Sequence, residues 1–286
     1  GRARRDRVAV LGLGEAGAAY ARGLAAAGVP VAGWDPARGK VIEGALEGAL
    51  EGVEPAPGPA EAVREASVVL SLNSGSVAEQ AARAAAPGLR KGTLFADLNT
   101  AAPATKVAVA GVVERRAATF ADVALLAPVP RAGVATPALV SGDGAEEYAR
   151  RLRGLGAPVE VVEGGPGAAA TRRLLRSVFM KGLAAVVLES LWAAAAVGSE
   201  PWVRAQIVDE LERADASLVD RLVEGSSRHA VRRVDEVRAA MGLLAGVGVP
   251  ARTTGAALEW LTDLAGEGLA GKTPTTDDAP GLSGDG

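Results

Sequence analysis

The segment 8–35 contains the feature that most limits the fold. A short apolar run, 8–11, leads into Gly12-Leu13-Gly14-Glu15-Ala16-Gly17, and an alanine-rich segment of helical character follows directly. A second apolar run, 31–34, then ends on Asp35. This order of strand, glycine turn, helix, strand and acid is typical of a dinucleotide-binding fold. A glycine-rich turn without a ligand is the alternative interpretation.

Each part of this motif has a physical role. Gly12 permits the tight turn, Gly14 lets the backbone approach a pyrophosphate, and Gly17 lets helix and strand pack closely. The helix N-terminus offers free N–H groups and the positive end of its dipole to the phosphates. Asp35 stands where a carboxylate accepts hydrogen bonds from a ribose diol. The predicted cofactor contacts also include Leu13, Glu15, Ala16, Arg38, Leu72 and Asn73.

The composition narrows the class of protein. The chain has 286 residues, enough for two domains, and its 49% hydrophobic and 23% charged residues are a globular balance. A net charge of −3 gives no broad field for nucleic acid or an anionic membrane, so we expect neither as a partner. One histidine and no cysteine exclude thiolate chemistry and make a metal site implausible. No signal peptide or long uninterrupted apolar span is evident, which favours the cytoplasm.

The first half of the chain alternates apolar strands with helical segments. Such alternation predicts an α/β domain with a Rossmann-like, doubly wound and largely parallel sheet. The expected later strands are 67–72, 93–97, 120–124, 138–141 and 158–162. We place this dinucleotide-binding domain at residues 1–165.

The pattern changes after Gly164-Gly165-Pro166-Gly167, and the rest is all-helical. One long helix is expected over 168–197, followed by helices near 201–223, 228–244 and 251–264. We assign 166–265 to a helical substrate and dimerisation domain, and we expect 266–286, rich in Gly, Thr, Asp and Pro, to be a disordered tail. Because the long helix is apolar nearly all round, we predict a homodimer through this domain.

A second motif follows the strand 93–97. It reads Asp97-Leu98-Asn99-Thr100-Ala101-Ala102-Pro103. With the glycine motif and the domain order, it resembles the β-hydroxyacid dehydrogenase family, which is related to 6-phosphogluconate dehydrogenase, in the branch with a distinctive C-terminal helical domain. That family has Asp-x-Ser-Thr-x-x-Pro near substrate and nicotinamide, so the resemblance implies that Asn99 and Thr100 bind substrate. A helix cap and turn is the alternative role.

A third motif departs further from the family. The family's substrate loop, Asp-x-Pro-Val-Ser-Gly-Gly, corresponds to Asp122-Val123-Ala124 and, after a short insertion, Pro128-Val129-Pro130-Arg131-Ala132-Gly133. Arg131 replaces a small residue and adds a planar cation that suits a carboxylate or phosphate. We list it as a substrate-binding candidate, with an exposed loop arginine as the alternative.

The resemblance also implies a catalytic lysine early in the long helix, with an asparagine four residues later. Arg173 and Ser177 stand at those positions. Arginine stays protonated, so Arg173 is suited to binding a carboxylate or stabilising an alkoxide but not to proton transfer. Lys181 shares the same helical face and has apolar neighbours, a setting that suits acid–base chemistry. We therefore predict Lys181 as a catalytic proton carrier, with a plain ion pair as the alternative.

A charged cluster in the helical domain resembles the C-terminal signature of the same branch. It comprises Arg228-His229-Ala230-Val231-Arg232-Arg233 and Asp235-Glu236. His229 is the single histidine, and because imidazole can both donate and accept a proton, it is a second candidate for proton transfer. At helical spacing, His229 and Arg232 share a face with Arg233 and Glu236, and Arg232 is a substrate-binding candidate. A solvated, salt-bridged helix face is the alternative.

The resemblance implies an NAD(P)-dependent enzyme that transfers a hydride between nicotinamide and a small, anionic hydroxy acid. Asp35 favours NAD because a carboxylate repels a 2′-phosphate, although Arg38 or Lys40 could still reach that phosphate. An imine reductase or reductive aminase is the alternative enzyme, since those relatives often replace the lysine. A nucleotide-binding protein that has lost catalysis is the non-enzymatic alternative.

Overall fold

The first half of the chain folds around one mixed sheet. The computed structural model describes residues 7–37 and 50–266, and within them eight strands lie in the order β3-β2-β1-β4-β5-β6-β7-β8. The strands are β1 (Val8–Leu11), β2 (Val31–Trp34), β3 (Val53–Pro55), β4 (Val68–Ser71), β5 (Leu94–Asp97), β6 (Thr119–Leu125), β7 (Ala138–Ser141) and β8 (Val159–Val161). All pairs are parallel except β6 with β7. The predicted Rossmann-like fold class is confirmed.

One strand was missed by the sequence analysis. β3 is only three residues long, ends in Pro55, and pairs with β2 alone, at the edge of the sheet. A short proline-containing segment carries too little apolar periodicity to stand out, and proline is tolerated at an edge because one side of the strand needs no donor.

Helices cover both faces of the sheet. They are α1 (Glu15–Ala26), α2 (Pro59–Val63), α3 (Ala78–Ala85), α4 (Pro103–Glu114), α5 (Val129–Ala132) and α6 (Ala145–Arg153). Leu24 of α1 and Tyr148 of α6 are buried in one core, whereas Val63 of α2 and Val113 of α4 are buried in the other. The carboxyl ends of the central strands are therefore the place where a ligand can approach.

The second half of the chain is helical, as predicted. Its helices are α7 (Ala168–Ala196), α8 (Glu200–Glu212), α9 (Ala216–Arg228), α10 (Ala230–Gly246) and α11 (Arg252–Ala265). The single helix expected over 201–223 is wrong: it is two helices, because Asp215 accepts a hydrogen bond from the Ser217 N–H and caps a new start. The chain divides into two compact units, Gly1–Ser177 and Val178–Gly286. The predicted tail lies outside the described residues, apart from its first residue, Gly266.

Much of α7 and α8 is left uncovered by residues 7–37 and 50–266 of the chain. Phe179, Leu188 and Trp192 of α7 are exposed, and in the described chain no residue of α8 is buried. One 18-residue window of α7 has a mean hydropathy of 1.6, so length and composition alone would allow this helix to cross a membrane.

Candidate active site

The glycine turn between β1 and α1 has the close contacts that the motif predicts. Gly12 has a φ of +90°, and a Cβ on it would lie 2.4 Å from the carbonyl oxygen of Leu72. A Cβ on Gly17 would lie 1.8 Å from the carbonyl oxygen of Gly12. Both positions therefore require glycine, one for backbone conformation and space, the other for the approach of helix to strand.

Gly14 is different, because nothing in the described protein would contact a Cβ placed on it. It is the N-cap of α1, and its extended backbone offers no side-chain cap for the first turn. Glu15, next to it, is exposed, and Ala16 is half-buried. Open space against an uncapped helix N-terminus is the arrangement that binds a pyrophosphate, so these residues fit a dinucleotide.

Asp35 contacts this glycine turn directly. Its Oδ2 accepts a 2.7 Å hydrogen bond from the Leu13 N–H, and its Oδ1 accepts one of 2.8 Å from the Ala37 N–H. A carboxylate has about four lone-pair sites, so Asp35 retains acceptor capacity for a ribose diol. Arg38 and Lys40 lie outside the described residues.

The end of β4 lies beside the same turn. Leu72 donates its N–H to the Leu11 carbonyl at 2.8 Å. The Asn73 side-chain oxygen would be only 2.8 Å from a Cβ on Gly12, and its amide nitrogen donates to the hydroxyl of Ser71. Both predicted residues thus border the glycine turn.

A narrow crevice lies at the carboxyl ends of β5 and β6. Its volume of about 10 Å³ has room for about one water molecule or one ligand oxygen. Its lining brings together the predicted substrate-binding residues Asn99 and Thr100, the predicted catalytic residue Arg173, and Lys106. Arg173 is half-buried, and its Nε donates to the carbonyl oxygen of Leu125 at 3.0 Å.

Asn99 is buried, and only the nitrogen of its side-chain amide is hydrogen-bonded within the described residues. Nδ2 donates to Oδ1 of Asp97 at 2.6 Å and to Oγ of Ser71 at 3.1 Å. Oδ1 of Asn99 is buried without a hydrogen-bond partner among residues 7–37 and 50–266. A buried acceptor of this kind is costly unless a ligand or water donates to it, so it fits a hydroxyl or amine donor from a substrate.

The sequence analysis did not place three charged residues in the site, the lysine Lys106 that lines this crevice and two carboxylates next to it. Asp97 and Asp122 are paired in register on β5 and β6, and Nζ of Lys106 is 3.5 Å from Oδ1 of Asp97 and 3.4 Å from Oδ1 of Asp122. All three side chains are at most 1% exposed. Burial raises the pKa of Asp97, the Lys106 ammonium and hydrogen bonds from Asn99 oppose that rise, and the Asp122 carboxylate adds to it. The available signal was the repeated Phe-Ala-Asp at 95–97 and 120–122.

The other predicted residues are not in this crevice. Arg131, on the short helix α5, is exposed, and Ser177 is half-buried near the end of the first unit. Neither residue lines the crevice.

The remaining candidates belong to the second unit. Lys181 and His229 are exposed, and Arg232 forms an exposed 3.5 Å ion pair with Glu236. The predicted shared face is wrong in detail, because His229 has left the helical conformation at the junction of α9 and α10. Arg233 donates to Ser226 Oγ at 2.9 Å and lines, with Glu236, a groove of about 540 Å³ that His229 and Arg232 do not line.

Family models match both halves of the chain. Residues 7–159 match the NAD binding domain of 6-phosphogluconate dehydrogenase, and residues 194–264 match a domain of unknown function, DUF1932. The first match covers more than half of the chain and includes the glycine turn, Asp35 and the crevice residues that follow β5 or lie on β6.

The similar proteins include several without an assigned activity. An uncharacterized 28.5 kDa protein of Methanothermus fervidus is 29% identical over 145 residues, which are 50% of this chain and 55% of that protein; this chain thus aligns with about half the length of that relative. A conserved hypothetical protein of Sinorhizobium meliloti 1021 is 29% identical, with a TM-score of 0.62 over 97% of this chain and 92% of the other.

An imine reductase of Streptomyces aurantiacus shares the fold, with a TM-score of 0.75 and 20% identity over 92% of this chain and 95% of the other. The resemblance inferred from the sequence motifs is confirmed. This chain belongs to the family of the 6-phosphogluconate dehydrogenase NAD-binding domain, which is β-hydroxyacid dehydrogenase-like, and carries a C-terminal helical domain of unknown function.

Proposed function

We propose that this protein is an oxidoreductase that transfers a hydride between a nicotinamide cofactor and the carbinol carbon of a small hydroxy acid. The observation that carries the proposal is the crevice at the ends of β5 and β6, where Asn99, Thr100 and Arg173 meet. It lies at the ligand-binding edge of the same sheet whose β1–α1 turn fits a dinucleotide. NAD(P) bound at that turn would accept the hydride when an alcohol is oxidised and would supply it when a carbonyl is reduced.

The crevice residues have distinct roles in this proposal. The guanidinium of Arg173 is oriented by the bond from its Nε to Leu125, which leaves its terminal nitrogens for a carboxylate. The free Oδ1 of Asn99 accepts a hydrogen bond from the substrate hydroxyl. Thr100 adds a hydroxyl beside it. Together these contacts bind an anionic substrate and orient its carbinol carbon.

Proton transfer needs a different residue. The hydroxyl loses a proton as the alcohol is oxidised, and Arg173 cannot accept it because arginine stays charged. We assign this step to Lys181, with His229 as the alternative; Arg232 and Arg131 are proposed to help bind the anionic substrate. Both Lys181 and His229 can exchange protons with solvent, because both are exposed.

A second candidate is reduction of a C=N bond. Arg173 stands where dehydrogenases of the family have lysine, and the Streptomyces aurantiacus protein with this fold is an imine reductase. In that reaction a hydride and a proton are added to an imine to give an amine. The third candidate, a protein that binds the cofactor and catalyses nothing, predicts binding without turnover.

The exposed apolar side chains of α7 favour a homodimer. Leu188 and Trp192 lie one turn apart on this helix, and both are exposed in the single chain. An apolar surface of this kind on a helix is usually covered by another protein surface. We propose a second copy of this chain as the cover, and the cytoplasm as its location. We also propose NAD rather than NADP, because of Asp35.

The first test is fluorescence titration of the pure protein with NADH and, separately, NADPH. Trp34 ends β2 beside Asp35, so energy transfer to reduced nicotinamide reports binding. The protein is then screened by nicotinamide absorbance with small hydroxy acids and with a cyclic imine. Oxidation of a hydroxy acid by wild type, with a strongly raised KM in Arg173→Met, is the expected result. Turnover of imine alone selects the second candidate, and binding without turnover selects the third.

A further inference from the structure

A row of four buried polar side chains crosses the sheet at its carboxyl edge. Ser71, Asp97, Asp122 and Ser141 are successive register partners on β4, β5, β6 and β7. Each is at most 1% exposed. Buried polar groups persist only when they are paired, so the partners of this row show what it connects.

At one end, the row is hydrogen-bonded to residues that border the glycine turn and the crevice. The hydroxyl of Ser71 accepts hydrogen bonds from Asn73 at 3.0 Å and from Asn99 at 3.1 Å. Asn73 borders Gly12 of the glycine turn, and Asn99 lines the crevice. Asn99 also donates to Asp97 from both its backbone N–H and its side-chain amide.

At the other end the row holds the first turn of α7. Oδ2 of Asp122 accepts hydrogen bonds of 3.0 Å from the N–H groups of Gly167 and Ala170. The hydroxyl of Ser141 accepts one from the N–H of Ala169, also at 3.0 Å. These are N–H groups that have no acceptor within a helix, and Arg173 lies on the following turn.

Lys106 joins the two halves of the row. Its Nζ donates to the carbonyl oxygen of Asp97 at 2.7 Å and lies within ion-pair distance of both carboxylates. These contacts place one buried ammonium between two buried carboxylates, where its charge is paired. Lys106 is therefore suited to holding its neighbours in place rather than to moving a proton.

We propose that Lys106 is a positioning residue that fixes the Asn99–Thr100 turn relative to Arg173 on α7. The inference rests on the proposed function for its kinetic consequence, since Asn99 and Arg173 are the substrate-binding residues there. The geometric consequence, a first turn of α7 held by Asp122, does not depend on any substrate. Asn99 is fixed through Asp97, and Arg173 through Asp122, so loss of Lys106 uncouples them.

The test compares full-length Lys106→Met, Lys106→Arg and, as a matched control, Lys91→Met, which removes an exposed lysine of the same unit. Hydrogen exchange of the amides at Gly167 and Ala170 is expected to rise roughly tenfold in Lys106→Met, while residues 8–17 keep wild-type protection. Cofactor affinity is expected to stay within about twofold, and KM to rise up to about 10²-fold, because small misplacements are that costly. Lys106→Arg restores most of the affinity for substrate.

Each result decides the proposal. A folded Lys106→Met protein with wild-type exchange at Gly167 and Ala170 overturns it, as does a uniform loss of protection that includes residues 8–17. If Lys106→Met does not fold, Asp122→Asn, which keeps the contacts of Lys106 to Asp97, is measured in the same way and must loosen α7 selectively. If wild type turns over no substrate, the proposed function fails, while the exchange measurement still decides the positioning role.

Discussion

The backbone N–H of Leu13 donates a 2.7 Å hydrogen bond to Oδ2 of Asp35, which joins the glycine turn to the end of β2. Asp35 thus has two roles in one carboxylate: it holds the turn, and it offers its remaining lone pairs to a ribose diol. A residue that shapes the turn affects the binding of both nicotinamide cofactors equally. A negative charge beside the ribose, in contrast, disfavours the 2′-phosphate and so distinguishes NAD from NADP. The two roles can therefore be separated by substitution.

Asp35→Ala removes both roles, so NADH affinity is expected to fall roughly 10- to 100-fold, the loss of one or two hydrogen bonds to a charged group. Asp35→Asn keeps one acceptor and removes the charge, so NADPH is expected to bind better relative to NADH than in wild type. Fluorescence titration with each cofactor measures both effects. Glu160→Gln, an exposed acid on β8, is the control. Unchanged affinity for both cofactors in Asp35→Ala would contradict the assignment.

Gly14→Ser separates cofactor binding from folding. The backbone at Gly14 is extended with φ at −62°, which serine adopts readily, and serine is a preferred N-cap. A Cβ there contacts nothing in the described protein, so the unfolding temperature is expected to stay equal or rise. Cofactor affinity is expected to fall about tenfold or more, since the side chain enters the space next to the uncapped N–H groups. Gly17→Ala, whose Cβ would clash with the Gly12 carbonyl oxygen, must instead destabilise the fold. Full cofactor affinity in Gly14→Ser would contradict the assignment of this helix N-terminus as the pyrophosphate site.

The glycine turn was predictable because its chemistry is local. Gly12, Gly14 and Gly17 lie close together in the sequence, and their spacing alone predicts the contact that each of them makes. The crevice residues Asn99 and Thr100 were found because they follow a strand whose end faces the ligand edge of a parallel sheet. Each of these inferences needs only the order of elements along the chain.

The buried row was not predictable in the same way. Whether Asp97 and Asp122 face each other depends on the register of β5 against β6, and whether Lys106 reaches both depends on how α4 packs over them. From sequence alone, a lysine in a helical segment is predicted to be exposed, because lysine is almost never buried unless it is paired. The helical face predicted to include His229 was not predictable for a related reason, since a helix break at one residue changes which side chains share a face.

Glu189 makes the stability of the helical unit dependent on pH. Its carboxylate accepts hydrogen bonds from the N–H groups of Thr253 and Thr254 and from the Thr254 hydroxyl, and so caps the start of α11. Burial alone would raise the pKa of Glu189, but these hydrogen bonds outweigh burial and lower it from 4.5 to about 2. The stability that these Glu189 hydrogen bonds contribute is therefore fully present above about pH 4.5 and is lost as the pH falls toward about 2.

Glu189→Gln is expected to lower the free energy of unfolding by about 1.5–3 kcal/mol at neutral pH, the range for hydrogen bonds to a charged group. The difference from wild type should shrink as the pH falls below about 4.5, because wild type then loses the same interaction. Urea unfolding of both proteins across this range measures it. Glu259→Gln, on the exposed surface of α11, should show no such convergence. If the difference in free energy of unfolding between the two proteins is constant with pH, the charge of the Glu189 carboxylate does not stabilise the start of α11.

The apolar surface of α7 gives a prediction about assembly. Leu188 and Trp192 are 53% and 61% exposed in the single chain, and covering both with a second copy removes substantial apolar area from water. Wild type is expected to scatter light as a dimer at micromolar concentration, and Leu188→Arg with Trp192→Arg as a monomer. Arg204→Ala, on the exposed surface of α8, should leave the dimer intact. A wild-type monomer at that concentration would reject the second copy as partner.

Lys181→Met tests the assignment of proton transfer. Lys181 is exposed and takes no part in the hydrogen bonds that join the glycine turn to Asp35, so the substitution is expected to leave cofactor affinity nearly unchanged. Turnover should fall about 10²- to 10⁴-fold if this ammonium carries the proton, the usual contribution of a positioned acid or base. His229→Gln is the parallel variant, and the larger loss in kcat identifies the proton carrier. Because a residue that only helps binding raises KM and spares kcat, full kcat in both variants would show that neither side chain moves the proton.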